Sequence, residues 1–365
     1  MSFSTFHGNA PTVHAAREML ARDRFPHAVI LSGPRGAGKF TLAQMIAKAM
    51  NCLEPPITSD GLPDYCGHCS NCERIAQADD LNARFDEAVD AREALKETDK
   101  KETRIFVQTH PDVLIIPPDP PQLLVKVDQV RHVIGHIYYK PTAGEHKVYV
   151  FPSAIFMKEA ANSLLKILEE PPEFATIFLL SENPSSLLAT VRSRCVQLRL
   201  ECLACEDIEA YLSKHRPEWQ ARQRALVARL CGGGIGQAQT FDLAAYTAAR
   251  QDALTLLRAS INADDHTELF KVTEGYRAGA QGKDKTDQLL RAAYSLLEDL
   301  LYIVSGTPKM LRNTDLSSEL NKLASTIDIA WIQRASLKLG EVETGMRRNL
   351  LRSLSLDAFA TSLER

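Results

Sequence analysis

No apolar run in these 365 residues approaches the ~20 needed to cross a bilayer, which excludes a hydrophobic membrane-spanning helix, and no membrane partner is expected. The opening residues, Met1-Ser2-Phe3-Ser4-Thr5, lack a basic segment followed by an apolar one, so no secretory leader is expected and the protein is expected in the cytoplasm. An excess of positive charge is also missing. The net charge of −3 argues against a simple basic nucleic-acid binder, while leaving local basic patches open. No internal repeat is found. What is present, 45% hydrophobic and 24% charged residues, suits a globular chain long enough for two or three domains.

Up to about residue 200, apolar strand-like runs (28–32, 112–116, 147–151, 175–181, 195–200) alternate with amphipathic helical ones (10–22, 39–51, 68–78, 127–138, 155–169, 185–191). That alternation predicts an α/β domain with a parallel sheet covered by helices. Beyond residue 203 helical periodicity dominates, as in the stripes Ala249, Ala253, Leu256, Leu257 and Leu289, Leu290, Ala293, Leu296, Leu297, Leu300, Leu301. Residues 79–104, rich in Ala and charges of both signs, read as an insertion forming a solvated helix or helical hairpin, with a partner-binding arm as the alternative. Asp128 reads as a helix cap.

Gly33-Pro34-Arg35-Gly36-Ala37-Gly38-Lys39 follows the apolar run Ala28–Leu31 and precedes a helical stretch, the layout of a loop that cradles nucleotide phosphates. Gly33, Gly36, Gly38 and Lys39 are its candidate phosphate-binding residues. Two partners are lacking. The residue after the lysine, which should hold Mg²⁺ through a hydroxyl, is Phe40, and Thr41 lies ~100° further round the helix. The strand Lys147–Phe151, where an Asp-Glu end should complete the metal site, runs into Pro152-Ser153-Ala154. The alternative strand ends are Ile116-Pro117-Pro118-Asp119 and Leu180-Ser181-Glu182-Asn183. Mg²⁺ binding and ATP hydrolysis by the chain itself are not expected; ATP or ADP binding without hydrolysis is left open.

The eight cysteines lie at 52, 66, 69, 72, 195, 202, 205 and 231. Cys66, Cys69 and Cys72 have Cys-x-x-Cys-x-x-Cys spacing, and with Cys52 they make a four-thiolate set that would close a structural Zn²⁺ site. His68 is the competing ligand, an iron–sulfur cluster the competing metal group, and buried unligated thiols the bland alternative. Cys202-Leu203-Ala204-Cys205, with Cys195 upstream, is a far weaker signal, read as ordinary thiols.

Several further segments occur in a specific order: His110-Pro111-Asp112; Asn162-Ser163-Leu164-Leu165-Lys166-Ile167-Leu168-Glu169-Glu170-Pro171-Pro172 before the strand Ala175–Leu180; and Thr190-Val191-Arg192-Ser193-Arg194-Cys195. With the cysteine module, this resembles the bacterial clamp-loader AAA+ subunits, the gamma/tau and delta-prime subunits of DNA polymerase III, over about residues 10–240. The resemblance implies an AAA+ domain over 1–201 with its zinc module at 66–78, a small helical lid over 202–245 and an all-α collar domain over 246–365. It also implies gamma/tau and delta subunits as partners, with the sliding clamp and primed DNA reached through the complex. Phe40, Pro152 and Ser153 depart from the gamma/tau pattern. So does Gly236, in Gly233-Gly234-Ile235-Gly236-Gln237-Ala238, where that pattern has an arginine. A long extension of the tau type is not expected either. These departures favour the delta-prime type: a subunit that is no enzyme itself and supplies Arg194, of Ser193-Arg194-Cys195, in trans to the neighbour's ATPase site. Arg192 is the alternative finger, and an ATP-hydrolysing gamma/tau-type subunit the alternative function.

Overall fold

A computed structural model describes residues 2–22, 24–261, 266–276, 280–347 and 350–363. The chain divides into two compact units, residues 1–204 with 232–237, and residues 205–231 with 238–365.

The first unit is built on six strands: β1 (Ala28–Ser32), β2 (Val107–His110), β3 (Val113–Ile115), β4 (Lys147–Phe151), β5 (Ala175–Ser181) and β6 (Val196–Arg199). They lie in the order β2-β3-β4-β5-β1-β6. Every residue of β1, β4 and β5 is buried, which explains their continuous apolar runs: both faces of a parallel sheet are covered. Side chains alternate between two layers. Val29, Leu31, Val148, Val150, Phe178 and Leu180 pack on one face, and Ile30, Tyr149, Phe151, Ile177 and Leu179 on the other.

Eight helices accompany the sheet: α1 (Ala10–Ala21), α2 (Lys39–Met50), α3 (Ser70–Ala76), α4 (Leu81–Glu93), α5 (Glu97–Glu102), α6 (Val127–Ile137), α7 (Lys158–Glu169) and α8 (Ala189–Arg192). Buried residues of α1, α2 and α3 join the first layer, and those of α6 and α7 the second.

Four expectations need correction. The sheet is not wholly parallel: β2 runs antiparallel to β3, and its four residues are too short and too unevenly buried to announce a strand. The segment 185–191 is a short turn of 3-10 helix at Pro184–Ser186 followed by α8. The helix read from Ile155 begins at Lys158, because Ile155 and Met157 exchange backbone hydrogen bonds with Val125. Asp128 is not the cap of α6: the N-cap is Lys126, whose N–H donates to the Gln129 side chain at 2.9 Å, while Asp128 pairs with Arg104 and Arg131.

The second unit is helical. Its elements include α9 (Cys205–His215), α10 (Ala221–Leu230), α12 (Leu243–Ile261), α13 (Thr267–Glu274), α14 (Ala280–Val304), α15 (Ser317–Ala324), α16 (Ile329–Arg347) and α17 (Arg352–Thr361). The short α11 (Ile235–Gln239) lies where the chain passes from residue 237 of the first unit to 238 of the second. The stripes read on α12 and α14 form the core with Trp331, Leu339, Leu356 and Phe359; all their residues are buried except Leu301, which packs half-buried against it.

Candidate functional site: a phosphate loop, a thiol cluster and an exposed arginine

The loop Gly33–Lys39 leaves the buried end of β1 and enters α2, as its sequence predicts. Gly36 has φ 75°, and a Cβ there would meet the backbone nitrogen of Gln237 at 2.5 Å. Only glycine satisfies both the backbone angle and that close approach. The Gly36 carbonyl accepts a hydrogen bond from the Gly236 N–H at 2.8 Å, so residues 232–237 lie directly on the loop. The position where the resemblance expects an arginine is thus a backbone contact.

Lys39 donates from Nζ to the carbonyls of Gly33 and Pro34, both at 2.7 Å. Burial lowers its pKa, and the charge of Glu182 acts in the opposite sense. Glu182 follows β5, whose Ser181 pairs with Ser32 at the root of the loop. The strand ends beside the loop are therefore those of β5 and β6, with that of β4 one strand beyond β5. Phe40 is half-buried against the α1–α2 layer and Thr41 is exposed on α2. Beyond β4, Pro152 and Ser153 continue to Ala154, whose N–H bonds to the Leu180 carbonyl at 2.9 Å.

The four expected thiols come together. The sulfurs of Cys52, Cys66, Cys69 and Cys72 all lie within 4.8 Å of one another. The Cys66 N–H donates to the Cys52 sulfur at 3.2 Å, and the Cys69 N–H to the Cys66 sulfur at 3.3 Å. Such bonds favour thiolates. Burial alone would raise the Cys69 thiol, but hydrogen bonds from the backbone of Leu53 and Cys72 and from neighbouring sulfurs outweigh it and bring its pKa to about 6. Burial pushes Cys52 and Cys72 up, the cost that a bound cation would offset. All four donors fit one tetrahedral, thiophilic metal ion.

Arg194, just past α8, is exposed. Its Nη2 pairs with Glu169 Oε1 at 2.7 Å and its Nη1 donates to the Thr190 carbonyl at 2.9 Å. Sequence reasoning assigned no role to Glu169, which ends α7; the pairing is 25 residues long-range and leaves no local signal. The other weak thiols form no further metal cluster among the described residues.

A solved structure of a DNA polymerase III gamma subunit-related protein from Thermotoga maritima aligns over 96% of this chain and 98% of its own, at 14% identity and a TM-score of 0.43. DNA polymerase III subunit tau of Escherichia coli is 27% identical over 97% of this chain and 54% of its own length. The delta' subunit of Pseudomonas aeruginosa is 30% identical over 60% of this chain and 56% of its own. The chain thus spans about half the length of these curated relatives. A family model described as "DNA polymerase III, delta subunit" matches residues 8–204. That match covers more than half of the sequence, and the chain belongs to this family of DNA polymerase III clamp-loader AAA+ subunits.

Proposed function

We propose that the chain is a delta-prime-type subunit of the clamp loader, a non-hydrolysing stator that helps place the sliding clamp on primed DNA. Its partners are gamma/tau and delta subunits, met in part through the helical residues 246–365 as a collar. The observation that carries this reading is the side-chain set around the phosphate loop. Phe40, half-buried against the α1–α2 layer, stands where a hydroxyl would hold Mg²⁺, and β4 is followed by Pro152 and Ser153 where a carboxylate would stand. Gly33, Gly36, Gly38 and Lys39 would hold the phosphates of a bound ATP or ADP, with Lys39 turning from its two carbonyls. On this reading the chain would bind nucleotide without carrying it into hydrolysis.

Cys52, Cys66, Cys69 and Cys72 would hold Zn²⁺. With four protein ligands, the ion supplies folding energy and no open coordination position. Arg194 is the residue with chemistry to offer. A guanidinium keeps its charge at any physiological pH and can bridge two phosphate oxygens. Placed across a subunit boundary, it would stabilise the charge of phosphoryl transfer at the gamma/tau site, where such a finger is worth ~10³–10⁵ in rate.

Reconstitution with gamma/tau and delta subunits tests this. Arg194→Ala is expected to remove the ATP turnover contributed by the one adjacent site, and unchanged turnover sinks the trans role. A second reading, an ATP-hydrolysing gamma/tau-type subunit, is favoured by the similarity to E. coli tau over 97% of this chain. Turnover by the purified chain, lost in Lys39→Ala, would establish it instead.

A further inference from the structure

The exposed arginine is not free. Its Nη2 lies 2.7 Å from a Glu169 carboxylate oxygen and its Nη1 2.9 Å from the Thr190 carbonyl. Both acceptors belong to its own chain, one at the end of α7 and one in α8. Glu169 is followed by Glu170 and then by Pro171 and Pro172, which cannot continue the helix, so Glu169 is the last residue of α7.

We propose that Glu169 is a latch for Arg194: it holds the guanidinium against its own chain and must be exchanged for a phosphate before the arginine can act on a neighbour. This rests on the trans reading of Arg194. Two electrostatic arguments set the direction. The carboxylate occupies a donor that a phosphate oxygen would use. It also places a negative charge beside any phosphate approaching that donor, and like charges at this range repel. Partner nucleotide and Glu169 therefore compete for one cation. Glu169 and Arg194 are 51% and 35% exposed, so the competition is between partly hydrated groups and the latch is weak enough to open. Glu169 is a positioning residue: it acts through Arg194 and touches no substrate.

Glu169→Gln keeps the shape and one hydrogen-bond acceptor but removes the charge. Glu170→Gln removes the same charge one residue away, from a side chain outside the pair, and serves as the control. The first readout needs no neighbour. In the full-length chain, the rate at which phenylglyoxal modifies Arg194, followed by peptide mass, is expected to rise about two- to five-fold in Glu169→Gln, the range set by an exposed ion pair, and to stay unchanged in Glu170→Gln. The second readout is the reconstituted loader, where Glu169→Gln is expected to raise, by a similar factor, the share of ATP turnover at sub-saturating ATP that Arg194→Ala removes. Retained metal content and unfolding midpoint confirm that the variants are folded. Modification that is unchanged or slower in Glu169→Gln, or equally faster in Glu170→Gln, overturns the latch. So does faster modification with turnover at or below that of the unsubstituted chain. Failure of the trans reading itself is seen separately, as turnover that Arg194→Ala leaves unchanged.

Discussion

Asp112 is a buried carboxylate whose work is done by its position. Its oxygens accept the backbone N–H groups of Thr142, Ala143 and Gly144 at 2.8, 2.7 and 2.9 Å, which fixes the turn that feeds β4. Burial raises its pKa, but these three donors and the nearby His110 outweigh it, and the net shift is downward. A carboxylate held below its unfolded pKa contributes stability that is full above the ordinary carboxylate range and is lost as pH falls through the lowered value. Asp112→Asn is therefore expected to cost ~1.5–3 kcal/mol near neutral pH, the scale of hydrogen bonds to a charged group, and the cost should shrink in acid. Denaturant titrations of both chains at neutral and acid pH check this; a pH-independent difference would mean that charge is not what holds the turn. His110-Pro111-Asp112 was visible in the sequence as a motif, but its purpose was not, because the partner groups lie 30 residues on and are backbone atoms that no side-chain pattern encodes.

At the scale of elements, legibility followed the range of the interaction. β1, β4 and β5 announced themselves because strands covered on both faces must be apolar throughout. The loop before α2 was legible because three glycines and a lysine at that spacing serve backbone angles and phosphate charge together, and the thiol cluster because three of its ligands share one turn. What the sequence hid was long-range pairing. The 79–104 insertion read as a solvated helix or helical hairpin, and the segment contains α4 and α5; yet Arg92 reaches Asp119 at 3.1 Å, and Asp119 is fully buried, also accepting from the Ile105 N–H and pairing with Lys126 at 2.7 Å. That ion pair ties the inserted helix to the segment between β3 and α6. Truncating one partner of a buried pair leaves a charge uncompensated, so Arg92→Ala is expected to cost ~3 kcal/mol, near the lower end for such losses because Lys126 remains. Arg84→Ala, which breaks an exposed pair with Glu87 on the same helix, should leave the unfolding midpoint unmoved. Equal effects would make the insertion a merely solvated arm.

For the whole molecule, the division into two units decides what each probe can see. The unit containing the sheet and the thiols has its own cores on the two faces of the sheet, and the helical unit has a separate one in which Trp331 is fully buried and donates from its indole to the Leu363 carbonyl at 3.2 Å. Both tryptophans of the chain, Trp219 and Trp331, belong to the helical unit. Tryptophan fluorescence therefore reports that unit alone, whereas loss of ellipticity reports both. If the four thiols hold the proposed structural ion, metal binding is part of the folding free energy of the first unit. One zinc equivalent is expected by metal analysis, and Cys69→Ser, or treatment with a chelator, is expected to abolish it and to lower the thermal midpoint of part of the ellipticity change. If each core unfolds on its own account, the fluorescence midpoint should hold within about a degree. If both midpoints fell together, the two units would be one cooperative body, and the thiol cluster would stabilise the helical residues that the proposed function assigns to the collar as well as the sheet that carries Arg194.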